Sequence, residues 1–128
     1  MRLLIDTHLL LWTAGQSARL SAQARGLIGD AANEVLFSAA SLWEIAIKAG
    51  LGRADFNADA HRLRRGLLNN GYNELPITGE HAVAVTRLPM IHKDPFDRLL
   101  LAQGMVEGIT VLTSDAVMAQ YPGSVQHV

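Results

Sequence analysis

Hydrophobic positions along the chain fall into two alternating patterns. Short continuous apolar runs occur at Arg2–Ile5, Glu34–Phe37 and Ile109–Thr113, and each stops abruptly at polar residues: Asp6-Thr7, Ser38 and Ser114-Asp115. Runs of this length, apolar on both sides and β-branched in the last case, predict buried parallel strands. Two weaker strands are predicted at Tyr72–Ile77, where Pro76 favours a sheet edge, and at Ser124–His127. Between the runs, apolar residues recur with helical spacing: from Thr7 or His8 to about Ala14, from Ser17 or Ser21 to about Ile28, from Ser38 to Lys48, from Ala58 to about Leu68, from Thr78 to about Arg87, from Pro95 to Glu107, and briefly from Ala116 to Gln120.

Capping residues sharpen two of these helices. In Asp94-Pro95-Phe96-Asp97, Asp94 reads as an N-cap, Pro95 as the first helical residue, and Asp97 as a carboxylate among free backbone N–H groups; Gly108 stops the helix. The helix after the second strand has two candidate caps. With Ser38, favoured by short strand-to-helix loops, Glu44 lies one turn inside; with Ser41, Glu44 is a capping-box residue. On the helix from Ala58, Ala60, Leu63, Leu67 and Leu68 form the apolar side, and His61, Arg62, Arg64 and Arg65 read as a solvated face. Trp12, Trp43, Met105 and Met118 sit among apolar residues and are assigned to the core.

Strand and helix alternation predicts an α/β fold: a three-layer α/β/α sandwich with a mostly parallel sheet of about five strands, formed by residues 1–128 as one domain. Composition fits, with 49% hydrophobic residues and mean hydropathy +0.16. The absence of cysteine removes disulfides and thiolate metal sites, leaving oxygen or imidazole ligands, and points to a cytoplasmic protein. Asp6 and His8 interrupt the first apolar run, so no signal peptide or membrane span is expected. Net charge is −1, and nucleic acid, if handled, must meet a local patch.

In such a sheet, right-handed crossovers bring every strand's carboxyl end to one edge, where open α/β folds bind ligands. Asp6 and Asp115 end strands there, while Glu44 and Asp97 lie early in helices that start from it. Clustered carboxylates must take up protons or hold a cation, and a hard divalent ion, Mg²⁺ or Mn²⁺, suits an all-oxygen set. Such sites activate water and neutralise charge on a phosphodiester. Thr7, Thr113 and Ser114 offer hydroxyls that could position water or simply cap helices; Lys48, Arg53, Lys93 and Arg98 flank the acids as candidate phosphate contacts. His8 and His92 are read as flanking or substrate-contacting residues.

Taken together, Leu4-Ile5-Asp6-Thr7-His8, Ser38-Ala39-Ala40-Ser41-Leu42-Trp43-Glu44-Ile45, His92-Lys93-Asp94-Pro95-Phe96-Asp97-Arg98-Leu99-Leu100 and Leu112-Thr113-Ser114-Asp115 resemble, in order and spacing, the PIN-domain ribonucleases and within them VapC-like toxins. The resemblance implies that Asp6, Glu44 and Asp97 are the core acidic ligands of Mg²⁺ or Mn²⁺, with Asp115 a more variable fourth. It further implies an RNA substrate, a homodimer and a small antitoxin partner. Asp94 competes with Asp97 for the helix-acid position, and the family pattern favours Asp97. A DNA or flap-type nuclease is the closest enzymatic alternative. A non-catalytic binding module is disfavoured by the intact acids, and a receiver-like domain by the lack of an Asp ending the third strand and a Lys ending the last.

Overall fold

The computed structural model describes residues 1–128. Five parallel strands, β1 (Arg2–Ile5), β2 (Glu34–Ser38), β3 (Asn73–Leu75), β4 (Thr110–Thr113) and β5 (Val125–His127), form one sheet in the order β3-β2-β1-β4-β5. Period-two alternation divides the core. Leu3, Ile5, Val35, Phe37 and Leu112 pack on one face with Leu9, Leu10, Ala24 and Leu67, whereas Leu4, Leu36, Leu75 and Val111 pack on the other with Leu100 and Leu101. Helices α1 (Thr7–Gly15), α2 (Ala22–Gly29) and α4 (Ala60–Asn69) supply the first layer; α6 (Pro95–Glu107) supplies the second, backed by α5 (Gly79–Ala84). The expected α/β sandwich and its parallel sheet are therefore present, with β3 and its following Pro76 at an edge.

Helix starts follow side-chain chemistry. Ser38 caps α3 (Ala39–Gly50) by accepting from the Ala40 N–H, which places Glu44 inside the helix and leaves Ser41 as a buried interior residue. Ser21 caps α2, and the segment Ser17–Arg19 before it forms a separate 3₁₀ turn. Thr78 caps α5 with His81 in the reciprocal role, its Nδ1 accepting the Thr78 N–H. The expected helix over Ala116–Gln120 shortens to a 3₁₀ turn at Met118–Gln120.

Three assignments to the core are corrected. Trp43 and Met105 are exposed, and Leu68 lies on the open side of α4. Trp43, Ile47 and Leu51 instead form an exposed stripe on and just beyond α3, spaced by four residues. Trp12 is half-buried and Met118 is fully buried, as expected.

Gly104 marks where α6 meets the sheet most closely. A Cβ there would lie 2.5 Å from Val111 Cγ2 and 3.1 Å from the Ile109 carbonyl oxygen. Alanine is the better helix former by up to about 1 kcal/mol, but overpacking against buried β4 costs about 1–3 kcal/mol. Gly104→Ala is thus expected to lower the melting temperature by a few degrees, as followed by circular dichroism; a rise would show that β4 yields freely.

Candidate metal centre

The β1–β4 register sets the first acid. Ile5 pairs with Leu112, the Asp6 amide donates to the Leu112 carbonyl at 3.0 Å, and Asp6 and Thr113 leave the sheet side by side. Asp6 is buried and accepts three hydrogen bonds: Oδ1 accepts the Leu9 N–H at 2.8 Å, capping α1, while Oδ2 accepts the Thr113 hydroxyl at 2.6 Å and the Ser114 N–H at 3.2 Å. Burial raises its pKa, and the three donors offset that only in part.

Glu44 reaches the same edge from the second turn of α3. Its Oε1 accepts the Thr7 hydroxyl at 2.7 Å, and its Oε2 pairs with Lys48 Nζ at 2.5 Å. The Lys48 ammonium also lies 4.6 Å from the Phe56 ring centroid and 5.7 Å from that of Phe96. This candidate phosphate contact is therefore already the counter-ion of an acid.

Asp94 and Asp97 divide their tasks. Asp94 Oδ1 accepts the Phe96 and Asp97 N–H groups at 2.9 and 3.1 Å, which is capping. Asp97 turns its carboxylate into the cluster, where burial, then Asp94, Glu44 and Asp6, push its pKa up to about 7 against the pull of His92. Asp115, at the end of β4, is the most exposed of the set: Oδ1 accepts the Val117 N–H at 2.8 Å, and Oδ2 lies 3.1 Å from His92 Nε2. Burial would raise the Asp115 pKa, but the Val117 amide and His92 outweigh it and leave it lowered.

The structure also corrects or refines several expectations. Thr7 and Thr113 spend their hydroxyls orienting Glu44 and Asp6, and Ser114 contributes its backbone N–H to Asp6. Arg98 is not available to a phosphate: it is buried, and its guanidinium donates to the Pro89 and Val85 carbonyls and to Tyr121 Oη. Its placement on the buried side of α6 explains this, since the loop it fastens, 88–94, needs donors for its carbonyls. Arg53 is exposed and shared with Asp55 at 3.3 Å, and Lys93 is exposed. His8 stands apart, against Phe56 and 3.8 Å from Asp55.

His92 is the residue that sequence reasoning undervalued. Its Nε2 lies 3.0 Å from Asp97 Oδ2 and 3.1 Å from Asp115 Oδ2. The His-x-Asp spacing carried the available signal, because it puts the ring two residues before a helix cap.

The donor set fits a hard divalent cation. Asp6, Glu44 and Asp97 concentrate carboxylate charge in a poorly hydrated place where Lys48 is paired with Glu44, and burial, then the charges of Asp94, Glu44 and Asp6, raises the Asp97 pKa. No helix is long and apolar enough to cross a membrane.

Among solved structures that share the fold are two from toxin–antitoxin systems. One is VapBC2 from Rickettsia felis bound to a DNA fragment from their promoter, with TM-score 0.72 and 10% identity, covering 99% of this chain and 98% of that one. The other is a toxin-antitoxin complex from Klebsiella pneumoniae, with TM-score 0.62, 17% identity and 98% of each chain covered. No curated protein matches the sequence. At these identities the structures speak for the fold alone, whereas the family model named PIN domain matches the sequence itself over residues 3–124, nearly end to end, and the chain therefore belongs to the PIN domain family.

Proposed function

We propose that the chain is an Mg²⁺- or Mn²⁺-dependent endoribonuclease and the toxin of a toxin–antitoxin pair. The observation that carries the reading is the gathering of Asp6, Glu44 and Asp97 at the carboxyl edge of the sheet, where burial and then Asp94, Glu44 and Asp6 push the Asp97 carboxyl up to about 7. Membership of the PIN family and a fold shared with toxin–antitoxin structures support it.

Asp6, Glu44 and Asp97 would hold the metal, with Asp115 at the open side. Once bound, a divalent cation neutralises phosphodiester charge and makes water a better nucleophile near neutral pH. The chain's own groups do the rest. Thr7 and Thr113 orient the Glu44 and Asp6 carboxylates through their hydroxyls. The exposed Arg53 and Lys93 are the cations assigned to the RNA backbone, while Lys48 stays paired with Glu44.

The antitoxin is assigned to the groove between α1 and α4, where Leu11, Trp12, Leu63 and Tyr72 lie among Arg19, Arg62, Asp55 and Asp59. A second copy of the chain is assigned to the Trp43–Ile47–Leu51 stripe. We assign the protein to the cytoplasm, with which its lack of cysteine accords.

The test is cleavage of labelled single-stranded and structured RNA, with matched DNA, by purified protein in Mn²⁺ or EDTA. RNA cleavage that needs the metal and is lost in Glu44→Gln is expected. Cleavage that survives EDTA, or that Glu44→Gln leaves intact, overturns the mechanism, and cleavage confined to DNA overturns the substrate.

A further inference from the structure

We propose that His92 is a positioning residue of the metal centre: its Nε2–H holds Asp115 by Oδ2 at the edge of the cluster beside Asp97, and the imidazole is not itself a ligand. This rests on the function proposed above. His92, Asp97 and Asp115 lie within 4.8 Å of one another through these atoms, close enough that all three would make a plausible ligand group. The other ring nitrogen decides against that. Nδ1 lies 3.2 Å from the Asp94 amide nitrogen, which can only donate, so Nδ1 is the acceptor and the hydrogen of the neutral ring sits on Nε2. A nitrogen carrying hydrogen has no lone pair for a metal.

The ring is held from behind. The His92 amide donates to Tyr121 Oη at 2.6 Å, and Tyr121 Oη in turn accepts from Arg98 Nη1 at 3.1 Å, so the buried Arg98 fastens the segment that carries the imidazole. Asp94 completes the link, with its backbone N–H on the ring and its carboxylate capping α6, the helix on which Asp97 stands.

Asp115 depends on this donor. Its Oδ1 is taken by the Val117 N–H, its side chain is 38% exposed, and the ring is the side chain that fixes its Oδ2. Asp97 Oδ2 lies 3.0 Å from the same nitrogen, so the ring sets Asp115 beside Asp97. Without the Nε2–H, the Oδ2 side of Asp115 relaxes toward water and away from Asp97. A partner of this kind behind metal-binding carboxylates is worth about 10–100-fold in affinity.

Calorimetric titration of the full chain with Mn²⁺ tests the assignment, using wild type, His92→Ala, His92→Leu, His92→Gln and Asp97→Asn, each checked for its melting transition. Loss of about 10–100-fold in the Ala and Leu variants, with the donor-bearing Gln variant recovering most of it, is the expected result. Unchanged or tighter binding in Ala or Leu, while Asp97→Asn loses it, overturns the role of His92 and leaves the metal centre standing. No binding by wild type, or full binding by Asp97→Asn, overturns the metal centre and the inference with it. Electron spin-echo modulation of the wild-type Mn²⁺ complex does not depend on any variant folding: a directly bonded nitrogen coupling would make His92 a ligand and refute the proposal, and its absence is expected.

Discussion

Asp97→Asn should abolish nuclease activity, by about 100-fold or more, and at the same time make the metal-free protein harder to unfold at pH 8. The two effects share one cause. Asp97 has an ordinary pKa of 3.8 when unfolded and about 7 in the fold, because burial and the neighbouring Asp94, Glu44 and Asp6 disfavour its charge. The folded state therefore binds this proton more tightly than the unfolded one, and stability falls as pH rises from about 4 to about 7 and then levels off. Asparagine carries no charge and escapes the penalty. The gain over wild type should be small near pH 4, where the folded carboxyl is neutral, and complete above pH 7. Because the Asp97 side chain keeps 17% exposure and His92 offsets part of the field, about 2 kcal/mol is a reasonable size, or roughly 5–10 °C for a chain of this length.

Adding Mn²⁺ should invert the order, because a ligand bound only by the folded state stabilises in proportion to its affinity. Wild type gains from the metal and Asp97→Asn does not. Melting curves at pH 4.5 and pH 8, with Mn²⁺ or EDTA, check all four corners. No stabilisation at pH 8 in EDTA would mean the acids are already neutralised within the protein, and equal stabilisation of both by Mn²⁺ would place the metal elsewhere.

How much of this was legible in the residue order depends on how local each cause is. Strand ends, helix caps and the Asp94/Asp97 division are decided within a few residues, and Ser38, Asp94 and Gly108 act as read. Convergence of the acids follows from strand order, which short apolar runs and right-handed crossovers constrain strongly. What failed depends on the other side of a contact. Trp43 and Met105 look like core residues to any periodicity argument, yet Trp43 meets only the edge of Phe96 and both stay largely exposed. Arg98 looks like a surface cation until the loop carbonyls it serves are in place. His92 gains its role from Asp115, which is 23 residues away and reaches it only through the β4 loop.

The acids also differ in what they cost, and Asp6 supplies the opposite sign to Asp97. Asp6→Ala removes the acceptor for three donors at once: the Leu9 N–H, the Thr113 hydroxyl and the Ser114 N–H. The first is the N-cap of α1, typically worth about 1 kcal/mol, and the others are left unsatisfied beside a buried strand end at about 1–3 kcal/mol each. These do not simply add. Burial raises the Asp6 pKa despite the three donors, so the native carboxylate already bears a desolvation cost that alanine removes. A net loss of about 2–4 kcal/mol follows, lowering the urea midpoint well below that of wild type in EDTA at pH 7. Asp6→Asn should fall between the two, since its oxygen can still cap α1 while its NH₂ meets the Ser114 N–H as a second donor. The expected stability order in EDTA is thus Asp97→Asn above wild type, then Asp6→Asn, then Asp6→Ala, although every one of these variants should lose metal-dependent cleavage. An Asp6→Ala chain as stable as wild type would show that the carboxylate is held for the metal alone, with no part in joining β1, α1 and β4.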